Sequence, residues 1–209
     1  MLELKKHVPK GRVSTGLLGS CQGNLVWAVS REAYWRREGE GTLMGLVGIG
    51  GGQEKGETLT GAVVREAMEE AKSRISITGA LQTVWAYGDG SAKVVDLGAD
   101  LDGEPAPLLI WEASLNYLNS KGERRVIDYI CAVYQADFLD RPQWTPEVTG
   151  LLFCGTEDFR SMLREPVPMR LILARGGDYE GQRLPEDTHF ELHGSPLYLA
   201  RHWDLLQFG

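Results

Sequence analysis

Cysteine is scarce in this chain, with three in 209 residues. Cys21, Cys131 and Cys154 lie far apart and show no CxxC spacing, which excludes a disulfide framework and a zinc knuckle. Cys131 and Cys154 sit in apolar runs and read as small buried hydrophobes. Long apolar runs are missing too. None approaches the roughly 18 residues that a membrane-spanning helix needs, and the opening MLELKKHVPKGR has no signal-peptide stretch. The expectation is a cytoplasmic protein with no membrane partner. Positive charge is in deficit: 22 Lys and Arg stand against 29 Asp and Glu, a net −7. A general nucleic-acid binder needs basic surface, so no stable nucleic-acid partner is expected. An acidic chain can still act on phosphates if a divalent cation supplies the positive charge.

Several motifs are also lacking. GIGGG at 48–52 is not GxGxxG, and no later ribose-binding acid follows in a strand–loop–helix unit, so a dinucleotide fold is not expected. HFELH puts His189 and His193 at i,i+4 if helical, but it is not HExxH and it follows Pro185, so no zinc site is expected. No internal repeat is present.

What is there is a globular composition, 43% hydrophobic and 24% charged. The length suits one domain with an extension. Residues 13–30 read as two strands around a turn at Gln22, Gly23 and Asn24, with Leu25 to Val29 buried. The charged segment 31–41 reads as a loop. Residues 43–49 form a third strand, broken by Gly50, Gly51 and Gly52. A helix spans 58–73, with Thr58 as N-cap. Residues 75–85 follow as a strand, 88–108 as an inserted loop, and 110–119 as either a strand or a short helix. Residues 125–138 and 150–154 are strands. Thr156 caps a helix with acids in its first turn, and a final helix covers 195–206. The mixture, without regular alternation, favours an α+β arrangement with a mixed sheet and helices on its faces.

The helix at 58–73 carries Glu66, Glu69 and Glu70. At about 100° per residue, Glu70 lies about 40° from Glu66 on one side and Glu69 about 60° on the other. Val64, Met68, Ala71 and Ile75 gather opposite and are expected to face the core. Like charges at these spacings destabilise a helix by about 0.2–0.5 kcal/mol per pair. Arg65 relieves Glu69, and a hard divalent cation would relieve the rest. A solvated glutamate face is the plain alternative.

The spacing extends upstream to Glu57 and Gly51. In GGQEKGETLTGAVVREAMEEAKS, residues 51–73, the residues Gly51, Glu57, Arg65, Glu66, Glu69 and Glu70 resemble the signature of the Nudix hydrolases, G-x5-E-x7-R-E-U-x-E-E-x-G-U with U a bulky aliphatic. Ala67 at the first aliphatic position, Lys72 in place of the final glycine and Ser73 in place of the last aliphatic depart from it. The resemblance covers about residues 13–165, leaving 166–209 as a C-terminal extension of a single domain.

It implies an α/β/α sandwich around a mixed sheet, and a hydrolase that cleaves a nucleoside diphosphate linked to another moiety, using Mg²⁺ or Mn²⁺. Glu66, Glu69 and Glu70 would hold the metal, with the Gly50 carbonyl as a further ligand. Glu57 would support the site and Arg65 would orient the glutamates. Glu66 or Glu70 would be the general base, and Glu147 an outer carboxylate from a later loop. Read from the residues alone, the charged segment with Arg36 and Arg37 is first of all a solvated loop; the alternative is that they grip a substrate phosphate, with Tyr34 or Trp35 stacking on a base. Trp85, Tyr87 and Trp111 read as core or interface. Segments 31–42, 88–124 and the C-terminal extension would select the substrate. A homodimer is common in such proteins. The alternative function is a Nudix-like module that senses a nucleotide without cleaving it.

Overall fold

The run LVWAV at 25–29 shows how the sheet is built. In the computed structural model, which describes residues 2–39, 41–98, 101, 103–118 and 124–208, its side chains alternate between two cores. Leu25, Trp27 and Val29 enter one, and Val26 and Ala28 the other. A strand covered on both faces reads as one continuous apolar run.

That strand, β2 (Asn24–Val29), pairs with β1 (Arg12–Cys21) across a tight turn. Gln22 and Gly23 both take positive φ there, 52° and 84°, as a two-residue hairpin requires. The remaining strands are β3 (Arg36–Glu38), β4 (Gly41–Val47), β5 (Ile75–Thr78), β6 (Thr83–Tyr87), β7 (Ala92–Val95), β8 (Leu109–Leu118), β9 (Arg124–Phe138), β10 (Gly150–Cys154), β11 (Val167–Pro168), β12 (Asp178–Gly181) and β13 (Thr188–Leu192). They form one mixed sheet with the order β11-β13-β4-β2-β1-β9-β8-β6-β7, and β10 bridges β2 to β12. The pairs β1/β9, β4/β13 and β6/β8 are parallel.

Helices cover both faces. On one lies α1 (Leu59–Ala71), whose Leu59, Val63, Ala67 and Ala71 pack beside Val26 and Ala28. On the other lie α2 (Thr156–Ser161), α3 (Met169–Ala174) and α4 (Ser195–Arg201), which bring Phe159, Ile172, Tyr198 and Leu199 into the core of Trp27 and Trp111. Phe159 stacks on Trp27 with ring centres 4.7 Å apart, and Tyr198 on Trp111 at 4.6 Å. The result is the expected α/β/α layering around a mixed sheet. Residues beyond 165 are built into it: β13 lies beside β4, and its Phe190 is fully buried. All three cysteines are buried free thiols. Among the described residues no helix is long and apolar enough to cross a membrane.

The structure differs from the sequence reading in several places. The strand expected over 75–85 is two strands, because Gly79 and Ala80 turn the chain between β5, which pairs with β9, and β6, which pairs with β8. The charged segment 31–41 holds a short strand, β3, against β4; Glu40 lies outside the described residues. The inserted loop 88–108 includes β7, and the segment left open between strand and helix is the strand β8. Residues 99, 100, 102 and 119–123 of these segments lie outside the described residues. HFEL of this motif lies in the strand β13 and His193 follows directly after it, so the motif is not a helix. His189 Nδ1 contacts the Asp187 carbonyl and His193 Nε2 contacts Glu191, each at 2.9 Å. Gly155, not Thr156, occupies the N-cap of α2. The last helix stops at Arg201, followed by a 3-10 turn, Trp203–Leu205.

The buried face of α1 is the main correction. Val64 and Met68, expected in the core, are 43% and 47% exposed. The buried stripe is Leu59, Ala62, Val63, Glu66, Ala67 and Ala71, an i, i+3, i+4, i+7 pattern about 125° away from the expected face. Three of its members are alanines. They carry little weight in an apolar count, yet they let the helix approach the sheet closely. Thr58 is the N-cap as expected, and its hydroxyl accepts the Gly61 N–H at 2.9 Å.

The helix ends at Lys72, which adopts the left-handed conformation with φ 46° and ψ 34°. A side chain there costs about 1–2 kcal/mol, the reason glycine is favoured at this point of a helix. Lys72→Gly is therefore expected to stabilise the protein by about 1 kcal/mol, raising the unfolding midpoint by roughly 2–4 °C. A calorimetric scan of both proteins checks this; an unchanged or lower midpoint contradicts the strain.

Candidate functional site around the glutamate helix

Arg65 sits at the centre of the charged cluster. Its Nε and Nη2 donate to both oxygens of Glu57, at 3.0 and 3.2 Å. Its Nη1 donates to Glu66 Oε1 at 2.7 Å and to Glu69 Oε2 at 2.9 Å. Nη2 also reaches the Gly52 carbonyl at 3.0 Å. One guanidinium thus ties three carboxylates to the loop that precedes the helix, through charge-assisted bonds. Glu57 is further fixed by the Glu54 N–H at 3.0 Å. Arg65 is the main reason the Glu57 carboxyl is held below its usual range.

The glycines of the loop are set by close approach. A Cβ on Gly51 would lie 2.1 Å from Glu66 Oε1. Gly50 has a φ of 151°, and a Cβ there would meet the Thr15 carbonyl oxygen at 2.2 Å. Without side chains, the loop runs directly along β1, with Thr15 N–H bonded to the Gly51 carbonyl at 2.9 Å. This presents the Gly50 N–H to Glu70 Oε2 at 3.0 Å.

Glu66 and Glu70 share the inner side of the helix. Glu66 is 9% exposed. Burial raises its pKa, Arg65 opposes this, and the charges of Glu69 and Glu147 raise it further. Glu70 is pushed up to about 7, mainly by burial, with Glu66 and Glu147 adding repulsion and the Gly50 N–H pulling the other way. Glu69 stands further out, with its side chain 44% exposed.

Glu147 arrives from a loop stitched to the end of α1. The Gln143 N–H bonds the Ala71 carbonyl at 2.8 Å, and Thr145 Oγ1 donates to the Glu70 carbonyl at 3.3 Å. Ser73 is 1% exposed, and its hydroxyl bonds the Asp140 carbonyl at 2.9 Å. The position where the signature has an aliphatic residue is thus a polar tie. Arg31 Nε donates to the Glu147 carbonyl at 3.1 Å. Glu70, Glu147, Ser30, Arg31 and Tyr34 line one small cavity of about 240 Å³, in which the buried Ser30 Oγ has no hydrogen-bond partner.

Two arginines go elsewhere. Arg36 Nη2 grips both oxygens of Glu191, at 2.6 and 2.8 Å, and Arg37 pairs with Asp187 at 3.2 Å. Both clip β3 to β13, Arg37 at the residue before it and Arg36 near its end. Trp35 Nε1 donates to the Ser30 carbonyl at 2.8 Å and its ring packs on the core, whereas Tyr34 is 69% exposed. Trp85 and Trp111 are buried. Arg31 had one signal in the sequence: it is the first charge after a buried strand.

Among the described residues, no three His, Cys, Asp or Glu side chains are grouped closely enough to hold one ion. The guanidinium of Arg65 stands among Glu57, Glu66 and Glu69, and Glu70 is turned to the loop. The donor set nevertheless fits a hard divalent cation in kind. It is all oxygen, and the mutual repulsion and burial of Glu66 and Glu70 are what a bound cation would offset.

No protein-family model matches the chain, and no curated protein matches it. Solved structures similar to it include a Nudix hydrolase from Nitrosomonas europaea, 16% identical over 70% of this chain and 58% of its own, with a TM-score of 0.42. One of the Nudix family from Clostridium perfringens is 17% identical over 79% and 93%, with a TM-score of 0.44. An ADP-ribose pyrophosphatase from Streptococcus suis is 12% identical over 71% and 77%, at 0.39. This chain thus spans little more than half the length of the first of them. In the charged residues of its helix, and in the glycine loop that Arg65 ties to them, the chain resembles the Nudix hydrolases.

Proposed function

We propose that the protein is a hydrolase that cleaves the pyrophosphate linkage of a nucleoside diphosphate derivative. The observation that supports this best is a pair of inward glutamates, Glu66 and Glu70, both raised in pKa by burial and by neighbouring acids, beside a backbone loop with no side chains to block approach. Glu66, Glu69 and Glu70 would hold Mg²⁺ or Mn²⁺, with the Gly50 carbonyl as a further oxygen and Glu147 as an outer carboxylate. When bound, the cation offsets phosphate charge and makes water more acidic.

The chain's own residues supply the rest. Arg65 holds Glu57, Glu66 and Glu69 in fixed directions, and binding one ion between Glu66, Glu69 and Glu70 would require their carboxylates to turn toward a common point. In the metal-free protein burial raises Glu70 to about 7; a bound cation would lower it, and its role as the base would rest on its position against the Gly50 loop. Glu66 is held to Arg65 and keeps its charge more readily, which favours Glu70 as the base. The place Arg65 takes among the carboxylates is also compatible with the second reading, a module that binds a nucleotide without cleaving it.

Incubation with Mg²⁺ and a panel of dinucleotides, nucleotide sugars and nucleoside triphosphates, with phosphate measured after phosphatase treatment, separates the two. Cleavage of at least one compound is expected. A ligand that shifts the melting temperature while none is cleaved favours the sensing module. Glu70→Gln is expected to lower kcat by about 10²–10⁴-fold with the fold intact; unchanged turnover removes Glu70 from the reaction.

The raised pKa of Glu70 has a signed effect on metal-free stability. Its folded value of about 7 lies above the model value of 4.5. The folded state therefore keeps the proton longer, and stability falls as pH rises from about 4.5 through about 7. In EDTA, Glu70→Gln is expected to be more stable than wild type at pH 8, by about 2–3 kcal/mol, and equal to it near pH 4.5. Denaturant titrations at both pH values check this, and an equal effect at both contradicts it.

A further inference from the structure

Residues 145–149, which carry Glu147, form no helix or strand. Their carbonyls are therefore taken up one by one from other parts of the chain. Trp144 Nε1 donates to the Val148 carbonyl at 2.7 Å. The Gln182 N–H donates to the Thr149 carbonyl at 3.0 Å, and the Thr149 N–H to the Val29 carbonyl at 3.2 Å. At the other end, Thr145 Oγ1 reaches the Glu70 carbonyl. These bonds fix the ends of the loop. Among the described residues, the bond that reaches Glu147 itself from outside its loop is the one from Arg31, whose Nε donates to the Glu147 carbonyl at 3.1 Å.

Arg31 reaches out from a rigid base. The Ser30 N–H donates to the Gly45 carbonyl at 2.9 Å. The Ser30 carbonyl accepts from Trp35 Nε1 and from Thr149 Oγ1, each at 2.8 Å. The Arg31 carbonyl accepts the Tyr34 N–H at 2.9 Å. The backbone is thus pinned on both sides of the root of the side chain.

The choice of partner carries the argument. A guanidinium beside a glutamate ordinarily pairs with the carboxylate, as Arg65 does with three of them. Arg31 takes the carbonyl instead. The Glu147 carboxylate makes no hydrogen bond or ion pair among the described residues. It lines the small cavity with Glu70 and Arg31, and its charge is close enough to add to the repulsion on both Glu66 and Glu70. Its backbone is anchored while its oxygens stay open to a hard cation.

We propose that Arg31 is a positioning residue of the acidic site: by gripping the Glu147 carbonyl it holds that carboxylate in the wall of the cavity shared with Glu70, where Glu147 joins the donors for a divalent cation. The effect on turnover rests on the hydrolase reading; the effect on the cation has its own test. The two ways Arg31 could act differ in sign. Its positive charge repels a cation in the same cavity, so through charge alone its loss tightens cation binding. Through position, its loss weakens it.

The test is calorimetric titration of the full chain with Mn²⁺ alone. Glu147→Gln and Arg31→Ala are each expected to weaken Mn²⁺ about tenfold, the latter in spite of the positive charge removed. In the Glu147→Gln background, Arg31→Ala is expected to weaken binding no further, because the group it positions is gone. On any compound that the protein cleaves, Arg31→Ala is expected to lower kcat about tenfold with KM within about twofold. Arg31 and Glu147 are exposed, and a thermal scan confirms that each variant is folded. The proposal is overturned if Glu147→Gln binds Mn²⁺ like wild type, if Arg31→Ala binds it as well as wild type or better, or if the two losses add in full. The expected Mn²⁺ pattern with no compound cleaved defeats the hydrolase reading and leaves the role of Arg31 standing. Cleavage with unchanged Mn²⁺ binding in Arg31→Ala does the reverse.

Discussion

The guanidinium of Arg65 is the contact on which the rest of the site depends. Glu66, Glu69 and Glu70 crowd one part of a helix, and their repulsion would splay them if nothing stood between. Arg65 spans Glu57, Glu66, Glu69 and the Gly52 carbonyl within 2.7–3.2 Å. It is one turn of chemistry serving two parts of the backbone, because Glu57 and Gly52 lie before the helix and Glu66 and Glu69 lie within it. Fixing that loop to the helix brings Gly51 against the Glu66 carboxylate and the Gly50 N–H against Glu70. The burial of Arg65, Glu57 and Glu66 strengthens the bonds among them, and the loss of one would leave a partly buried charge without an answer.

Packing sets how far the acids are pushed from water. Ala62, Ala67 and Ala71 let α1 lie close on the sheet, and this closeness carries Glu66 and Glu70 inward. The loop that brings Glu147 then closes over the end of the helix through Gln143, Thr145 and Ser73. The cost is visible in Glu70, whose carboxyl resists ionisation in the folded protein. A site that holds acids out of water gives up stability for readiness to bind charge, a common arrangement where function is concentrated.

Much of the site was legible because its charged residues are local in sequence. Glu57, Arg65, Glu66 and Glu69 do meet, at the spacing read from one loop and one helix. Thr58 caps that helix as its side chain and position suggest. The apolar face was misread, since Val64 and Met68 outweigh alanines in any count of apolarity, while the sheet selects for small size. Arg36 and Arg37 lie on a charged segment that invited a phosphate-binding reading, but the acids that hold them, Glu191 and Asp187, are some 150 residues away in the chain. Ser73, an apparent departure from the signature, is a buried tie whose partner is Asp140.

By itself the sequence determined a mixed sheet with helices on its faces, a buried strand over residues 25–29, and a helix of clustered acids beside a glycine loop. These follow from periodicity, spacing and the conformations open to glycine, all of which are local; the α/β/α sandwich was implied by the resemblance of the charged motif. Only the tertiary structure decided which side of α1 is buried, how strongly Glu70 is raised, that residues after 165 complete the sheet, and that Arg31, Tyr34 and Glu147 line one cavity beside the same helix. Those outcomes depend on contacts between segments distant in the chain, where size, shape and desolvation choose among partners that composition alone leaves equivalent.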